Sequence, residues 1–171
     1  MNLLQLKDRQ KILCPQGVYV FYPLKIENEN LIFNGNQLKS CQLSRFLSEC
    51  SAICLFAATI GPQADLQIRK MQKIAPVKAV IMQATGAMFI EKYCDALCCQ
   101  IEKEAAEDGL KIKNRFSPGY GDVPLENQKM FFHLLDCKKI GLTLTDSLMM
   151  APEKSVTAFV GCYKNINLSY N

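Results

Sequence analysis

The sequence predicts an α+β fold, because helices and strands are interspersed without a regular strand–helix–strand alternation. Three observations carry this expectation. Residues 51–59, SAICLFAAT, are apolar almost without a break and are followed by Gly61-Pro62, the pattern of a strand buried on both faces. Residues 77–107 repeat apolar side chains near a 3.6-residue period over a length that suits one long helix. Short β-branched and aromatic runs stand before and after these two segments and read as further strands. The 171 residues, 49% of them hydrophobic and 21% charged, form one domain over 1–171 with material for a sizeable core, and a disordered polyelectrolyte is excluded. A net charge of +4 without a dense basic stripe gives no indication of a nucleic-acid partner.

The elements follow in order. Residues 17–22, GVYVFY, read as the first strand, with Leu31-Ile32-Phe33 as a short partner and Asn34-Gly35-Asn36 as a turn. Phe46 and Leu47 suggest a short helix over 44–50, before the buried strand 51–59. Pro62 suits the first turn of a helix whose apolar face is Ala64, Leu66, Ile68 and Met71. The long helix carries Val80, Ala84, Ala87, Met88, Ile90, Glu91, Cys94, Leu97, Cys98 and Ile101 near its period. Gly86 lies within it and invites close approach of another backbone, and Gly109 ends it. Residues 115–124, RFSPGYGDVP, hold two Gly and two Pro, which exclude a regular helix. A helix over 125–137 follows, with Met130, Phe131, Leu134 and Leu135 on its apolar face. Residues 142–145 alternate like a strand, Met149 and Met150 read as core, and 155–161 form a strong final strand before a polar tail from Lys164 to Asn171.

The start of the chain, Met1 to Asp8, meets charge at once, and the longest apolar run, Ala52 to Ile60, is far shorter than the roughly 20 residues of a membrane span. A membrane location is therefore not expected. Nine cysteines sit mostly in apolar runs with no C-x-x-C, so they read as reduced core thiols of a cytoplasmic protein rather than as a metal site. His133 is the only histidine, which rules out a three-His metal centre and leaves no G-x-S-x-G elbow for a triad to use.

The loop 115–124 has the ingredients for holding a small polar ligand. Arg115 offers a planar fork of donors, Gly119 and Gly121 allow close backbone approach, and Tyr120 offers a ring and a hydroxyl. Asp122 suits either the cap of the following helix or a ligand contact. Composition alone equally allows a structural turn. It lacks both G-x-G-x-x-G and G-x-x-x-x-G-K-[ST], so neither nucleotide phosphate cradle is indicated. Glu91, among Met88, Phe89, Ile90 and Tyr93, reads from the period as a solvated residue, with a ligand role as the alternative.

The residues Arg115-Phe116-Ser117-Pro118-Gly119-Tyr120-Gly121 resemble the Arg-Pro-x-Pro-Gly-Tyr-Pro motif of the activation domain of cobalamin-dependent methionine synthase. Ile140 to Ser147, IGLTLTDS, is similar to that family's Ile-Gly-x-x-Leu-Thr-Glu-Ser, and Met150 to Val156, MAPEKSV, to its Met-x-Pro-x-x-Ser-Val. Phe89-Ile90-Glu91-Lys92-Tyr93 falls on the family's long helix with its ligand-binding Glu, and Leu55 to Gly61 fits the short stand-alone members. The likeness is strongest over 77–163, and it departs from the family pattern at Ser117 and Gly121.

The resemblance implies a twisted, mainly antiparallel sheet packed with long helices. It implies a module that binds S-adenosylmethionine and supports reductive methylation of cob(II)alamin on a separate corrinoid protein. Arg115 would pair with the ligand carboxylate and Glu91 with its ammonium or ribose hydroxyls. Ser117 and Gly119 would offer backbone groups to the adenosine, and Tyr120 would face the methyl-transfer gap as the catalytic residue. Tyr163 and Tyr170 are the tyrosines nearest to the family's further ligand Tyr. No D-x-H-x-x-G corrinoid motif is present, so the cobalamin would be carried by a partner methionine synthase subunit, with a flavodoxin-type protein as electron donor. Reactivation of another corrinoid methyltransferase and a non-catalytic docking role are the alternatives.

Overall fold

The computed structural model describes residues 13–164. The chain opens with β1 (Gln16–Pro23) and a meander of β2 (Lys25–Glu27), β3 (Asn30–Phe33) and β4 (Asn36–Lys39). Helix α1 (Cys41–Phe46) leads to β5 (Cys50–Thr59), then α2 (Pro62–Ile74) and α3 (Pro76–Glu107). Strand β6 (Leu110–Phe116) is followed by a 3₁₀ turn (Leu125–Asn127), α4 (Gln128–Leu134) and a second 3₁₀ turn (Cys137–Ile140). The chain then forms β7 (Thr143–Leu144), β8 (Met150–Ala151) and β9 (Ser155–Lys164). The expected polar tail lies outside the described residues from 165 onward.

The main sheet is antiparallel throughout, in the order β1-β5-β9-β6. Its central strand β5 explains its own composition. Ile53, Leu55 and Ala57 face one layer, with Leu47, Phe131 and Phe159. Cys54, Phe56 and Ala58 face the other, with Ile90, Cys94, Leu97 and Ile101 of α3. A strand flanked by neighbours and covered on both faces needs apolar residues at every position.

Helices α2 and α3 cover the second face. Each begins with proline at its first position, where the missing N–H is not needed. Ala75, preceding Pro76, is extended at φ −150°, which separates the two helices. The buried stripe of α3 is Ala79, Gly86, Ile90, Cys94, Leu97, Ile101 and Ala105. In its first half this differs from the sequence expectation. Small residues face inward there, while Val77, Val80, Ile81 and Met88 are exposed. Gly86 admits the aliphatic stem of Lys154 rather than a backbone: a Cβ there would lie 3.4 Å from Lys154 Cε. On α2, Ala64 and Ile68 are buried but Leu66 is exposed.

The first face carries the meander, α1, α4 and the turns around them. Leu31-Ile32-Phe33 does not pair with β1, as the sequence suggested, but lies between β2 and β4. The intervening Asn34 and Gly35 take the positive φ values, 46° and 73°, of a tight hairpin. The helix expected over 44–50 is instead Cys41–Phe46, and that expected over 125–137 divides into a 3₁₀ turn and the shorter α4. Met150 packs against the core, but Met149 is exposed at the tip of the β7–β8 hairpin.

Five of the nine thiols are core residues as expected, while Cys14 and Cys99 are exposed and Cys41 and Cys98 half-buried. Cys50, Cys54, Cys94, Cys137 and Cys162 are buried and unpaired. Burial pushes the Cys94 thiol up to about 12 and those of Cys137 and Cys162 to about 11, so they stay protonated at neutral pH.

Candidate functional site

The site is built where β6 passes beneath α3. Residues paired across an antiparallel ladder share a face, and Ile112 pairs with Cys162 while Arg115 pairs with Val160. Three steps along β6 thus match two along β9, a register shift between Ile112 and Arg115. Without it Arg115 would point to the opposite face. With it, Ile112 and Arg115 both face α3, while Lys113 reaches back to the carbonyl of Phe46.

Glu91 and Asp95 stand one turn apart on α3 and so share a side of the helix. Both accept from a single nitrogen of Arg115: Nη2 lies 3.1 Å from Glu91 Oε2 and 3.0 Å from Asp95 Oδ1. The Arg115 side chain is 24% exposed, against 60% and 53% for its two partners. The other terminal nitrogen, Nη1, is buried and has no acceptor among the described residues. This leaves one arm of the fork held by protein carboxylates and the other unsatisfied.

Beyond Arg115 the chain turns on itself. Tyr120 N–H donates to the Ser117 carbonyl at 3.2 Å, Val123 N–H to Tyr120 at 3.1 Å, and Gly119 N–H to Val123 at 2.9 Å. Gly119 takes φ +90°, which an L side chain rarely adopts. Pro118 and Val123 are buried beneath the turn, and Tyr120 is 69% exposed above it. The result is a hollow of about 290 Å³ lined by Glu91, Arg115, Phe116, Ser117, Tyr120 and Val156.

Four of the five expected ligand residues, Glu91, Arg115, Ser117 and Tyr120, therefore meet at one hollow. Gly119 does not line it. Its N–H is used inside the turn and its α-carbon faces Leu125. Tyr163 sits near the far end of β9, with Lys113 Nζ 5.9 Å from its ring, and is not part of the lining. Tyr170 lies outside the described residues. His133 is exposed and lines a separate groove beside Leu142 and Thr143.

Residues 45–168 match the family described as the activation domain of vitamin B12 dependent methionine synthase. The chain belongs to this family. The match takes in every residue lining the hollow. Methionine synthase of Mycobacterium tuberculosis (strain ATCC 25618 / H37Rv) is 41% identical over 63 residues, covering 34% of this chain and 5% of that protein. Methionine synthase of Mycobacterium leprae (strain TN) is 40% identical over 63 residues, with the same coverage. The chain thus spans about 5% of the length of these curated relatives. The crystal structure of the MetH reactivation domain bound to AdoHcy superposes with a TM-score of 0.70 at 17% identity, over 99% of this chain and 64% of that one. The activation domain fold, with its antiparallel sheet and long helix, is the fold expected from the sequence.

Asp95 was not singled out by the sequence reading. The available signal was an acid at i+4 from Glu91 on a predicted helix, which places two carboxylates on one face. In this activation domain Asp122 neither lines the hollow nor caps the following helix. Its carboxylate accepts from Ser40 Oγ, from Cys41 N–H at 2.7 Å and from Gln42 N–H at 3.2 Å, and so caps α1, 80 residues earlier. The hydrogen bond from Ser40, together with those from the two backbone N–H groups, lowers the Asp122 pKa from its ordinary 3.8. A depressed folded value means the stabilising contribution is present above 3.8 and is lost as pH falls through the lower folded value. Asp122→Asn is accordingly expected to melt below the parent protein at neutral pH, with the gap closing in strong acid. Thermal melts followed by circular dichroism across pH check this, and a gap that persists unchanged in acid contradicts it.

Proposed function

We propose that this activation domain binds S-adenosylmethionine in the hollow between Arg115 and Glu91. The reading extends to presenting the ligand's methyl group to a cobalamin carried by a separate corrinoid protein. The observation that carries it is a guanidinium and a carboxylate meeting at the edge of one small hollow, on a chain of this family. Before ligand arrives, these two charges satisfy each other. An amino acid zwitterion can exchange that internal pair for two external ones. Its carboxylate takes donors of Arg115, and its ammonium takes Glu91.

The donor set fits such a ligand. Arg115 offers a fork matched to a carboxylate, and Nη1 is a buried donor in need of an acceptor. Tyr120 supplies a ring face and hydroxyl on the solvent side, where a sulfonium gains from an aromatic face. The AdoHcy bound by the MetH reactivation domain carries the same amino acid and nucleoside groups. The corrinoid supplies the metal that accepts the methyl group. The role left to this chain is to orient, with Tyr120 at the mouth facing the incoming partner. The partner would be a corrinoid-binding methionine synthase subunit in the cytoplasm, with a flavodoxin-type electron donor. No helix of the described residues is long and apolar enough to cross a membrane.

Calorimetric titration of the protein with S-adenosylmethionine tests the reading. Binding tighter than millimolar is expected, with recovery of methylcobalamin absorbance when a corrinoid protein and a reductant are added. Absence of heat at millimolar ligand, with the corrinoid partner also present, overturns it.

A further inference from the structure

We propose that Asp95 is a positioning residue that keeps Arg115 in place when Glu91 turns from it to the ligand; this rests on the reading of the hollow as the S-adenosylmethionine site. The argument begins with geometry. Arg115 is the shared wall of two hollows. The first, described above, includes Glu91 but not Asp95. The second, of about 470 Å³, includes Asp95, Cys98, Glu102 and Lys113 but not Glu91. The two acids thus share Nη2, Glu91 lining the first hollow and Asp95 the second.

The consequence is a division of labour. A ligand ammonium competes with Arg115 for Glu91. If Glu91 were the sole protein anchor, engaging the ligand would leave the guanidinium held by the ligand carboxylate alone, with no protein carboxylate to fix its direction. Asp95 holds the same nitrogen at 3.0 Å and does not line the first hollow. Lys92 Nζ lies 3.7 Å from the second oxygen of Asp95. Two acids against one guanidinium also leave Arg115 neutralised by one carboxylate after the other departs.

The test compares two ligands that differ in the group Arg115 would hold. AdoHcy carries the amino acid carboxylate and ammonium, whereas methylthioadenosine keeps the nucleoside and thioether without them. Asp95→Ala is expected to weaken AdoHcy about three- to tenfold, to leave methylthioadenosine within about twofold, and to be rescued by Asp95→Glu to within about threefold. The Arg115 Nε–H resonance should be sharp in the parent protein, broaden in Asp95→Ala and sharpen again in Asp95→Glu. Equal weakening of both ligands assigns Asp95 a merely structural part and overturns the proposal. So does an unchanged resonance with unchanged affinity. If the parent protein binds neither ligand but the resonance still broadens in Asp95→Ala, the ligand reading falls and the positioning of Arg115 by Asp95 stands.

Discussion

Arg115→Ala should weaken S-adenosylmethionine binding by about 100-fold, on the basis that a charge-assisted hydrogen-bonded pair is worth roughly 1.5–3 kcal/mol and that the ligand carboxylate is left unpaired. The fold should survive the change. Arg115 lies near the end of β6, its partners on α3 are exposed, and no core cluster includes it. Removing it leaves Glu91 and Asp95 as like charges one turn apart, a repulsion of roughly 0.2–0.5 kcal/mol on a helix surface. Arg115→Lys should recover a part of the lost affinity, since an ammonium supplies charge without the planar fork. Calorimetry on the three proteins, with a thermal melt of each, is the measurement. Parent-like affinity in Arg115→Ala removes the hollow from consideration. Intact reactivation of a corrinoid partner by the same variant would leave only the docking role.

Phe159→Ala should cost about 3–5 kcal/mol of stability, the range for truncating a buried aromatic side chain. Phe159 on β9 is fully buried where three parts of the fold meet. Its ring lies 4.6 Å from that of Phe131 on α4 and 6.3 Å from that of Phe33 on β3. Its ladder partner on β6 is Phe116, beside Arg115. The side chain therefore joins the sheet to the meander and to α4, and none of these can collapse into the gap without leaving the others. Since a domain of this size is stable by only about 5–15 kcal/mol in total, the variant should unfold at much lower urea. Urea titration followed by circular dichroism gives the difference. A loss below about 1 kcal/mol would show that the site closes around the cavity, contrary to the packing described.

Much of this was legible in the residues. The uninterrupted apolar run of β5, the proline opening α2 and the Gly-Pro-rich turn after β6 each state a local requirement, because burial on both faces, a fixed φ and a positive φ admit few residue types. The pairing of Arg115 with Glu91 came instead from the resemblance, since composition left the loop open and the helical period read Glu91 as solvated. What could not be read was anything that depended on partners remote in the chain. The inward stripe over the first half of α3 consists of Ala79 and Gly86, because Lys154 occupies the space above Gly86. The carboxylate of Asp122 serves a helix 80 residues away.

The sequence by itself therefore determined the main kinds of element and, through its resemblance, the family and four of the six residues that line the hollow. Only the tertiary structure decided that a register shift on β6 turns Arg115 toward α3, and that Asp95 shares it with Glu91. The physical reason is that hydrophobic period and turn chemistry act over a few residues, while strand register and the meeting of side chains are settled by the packing of the whole sheet against its helices.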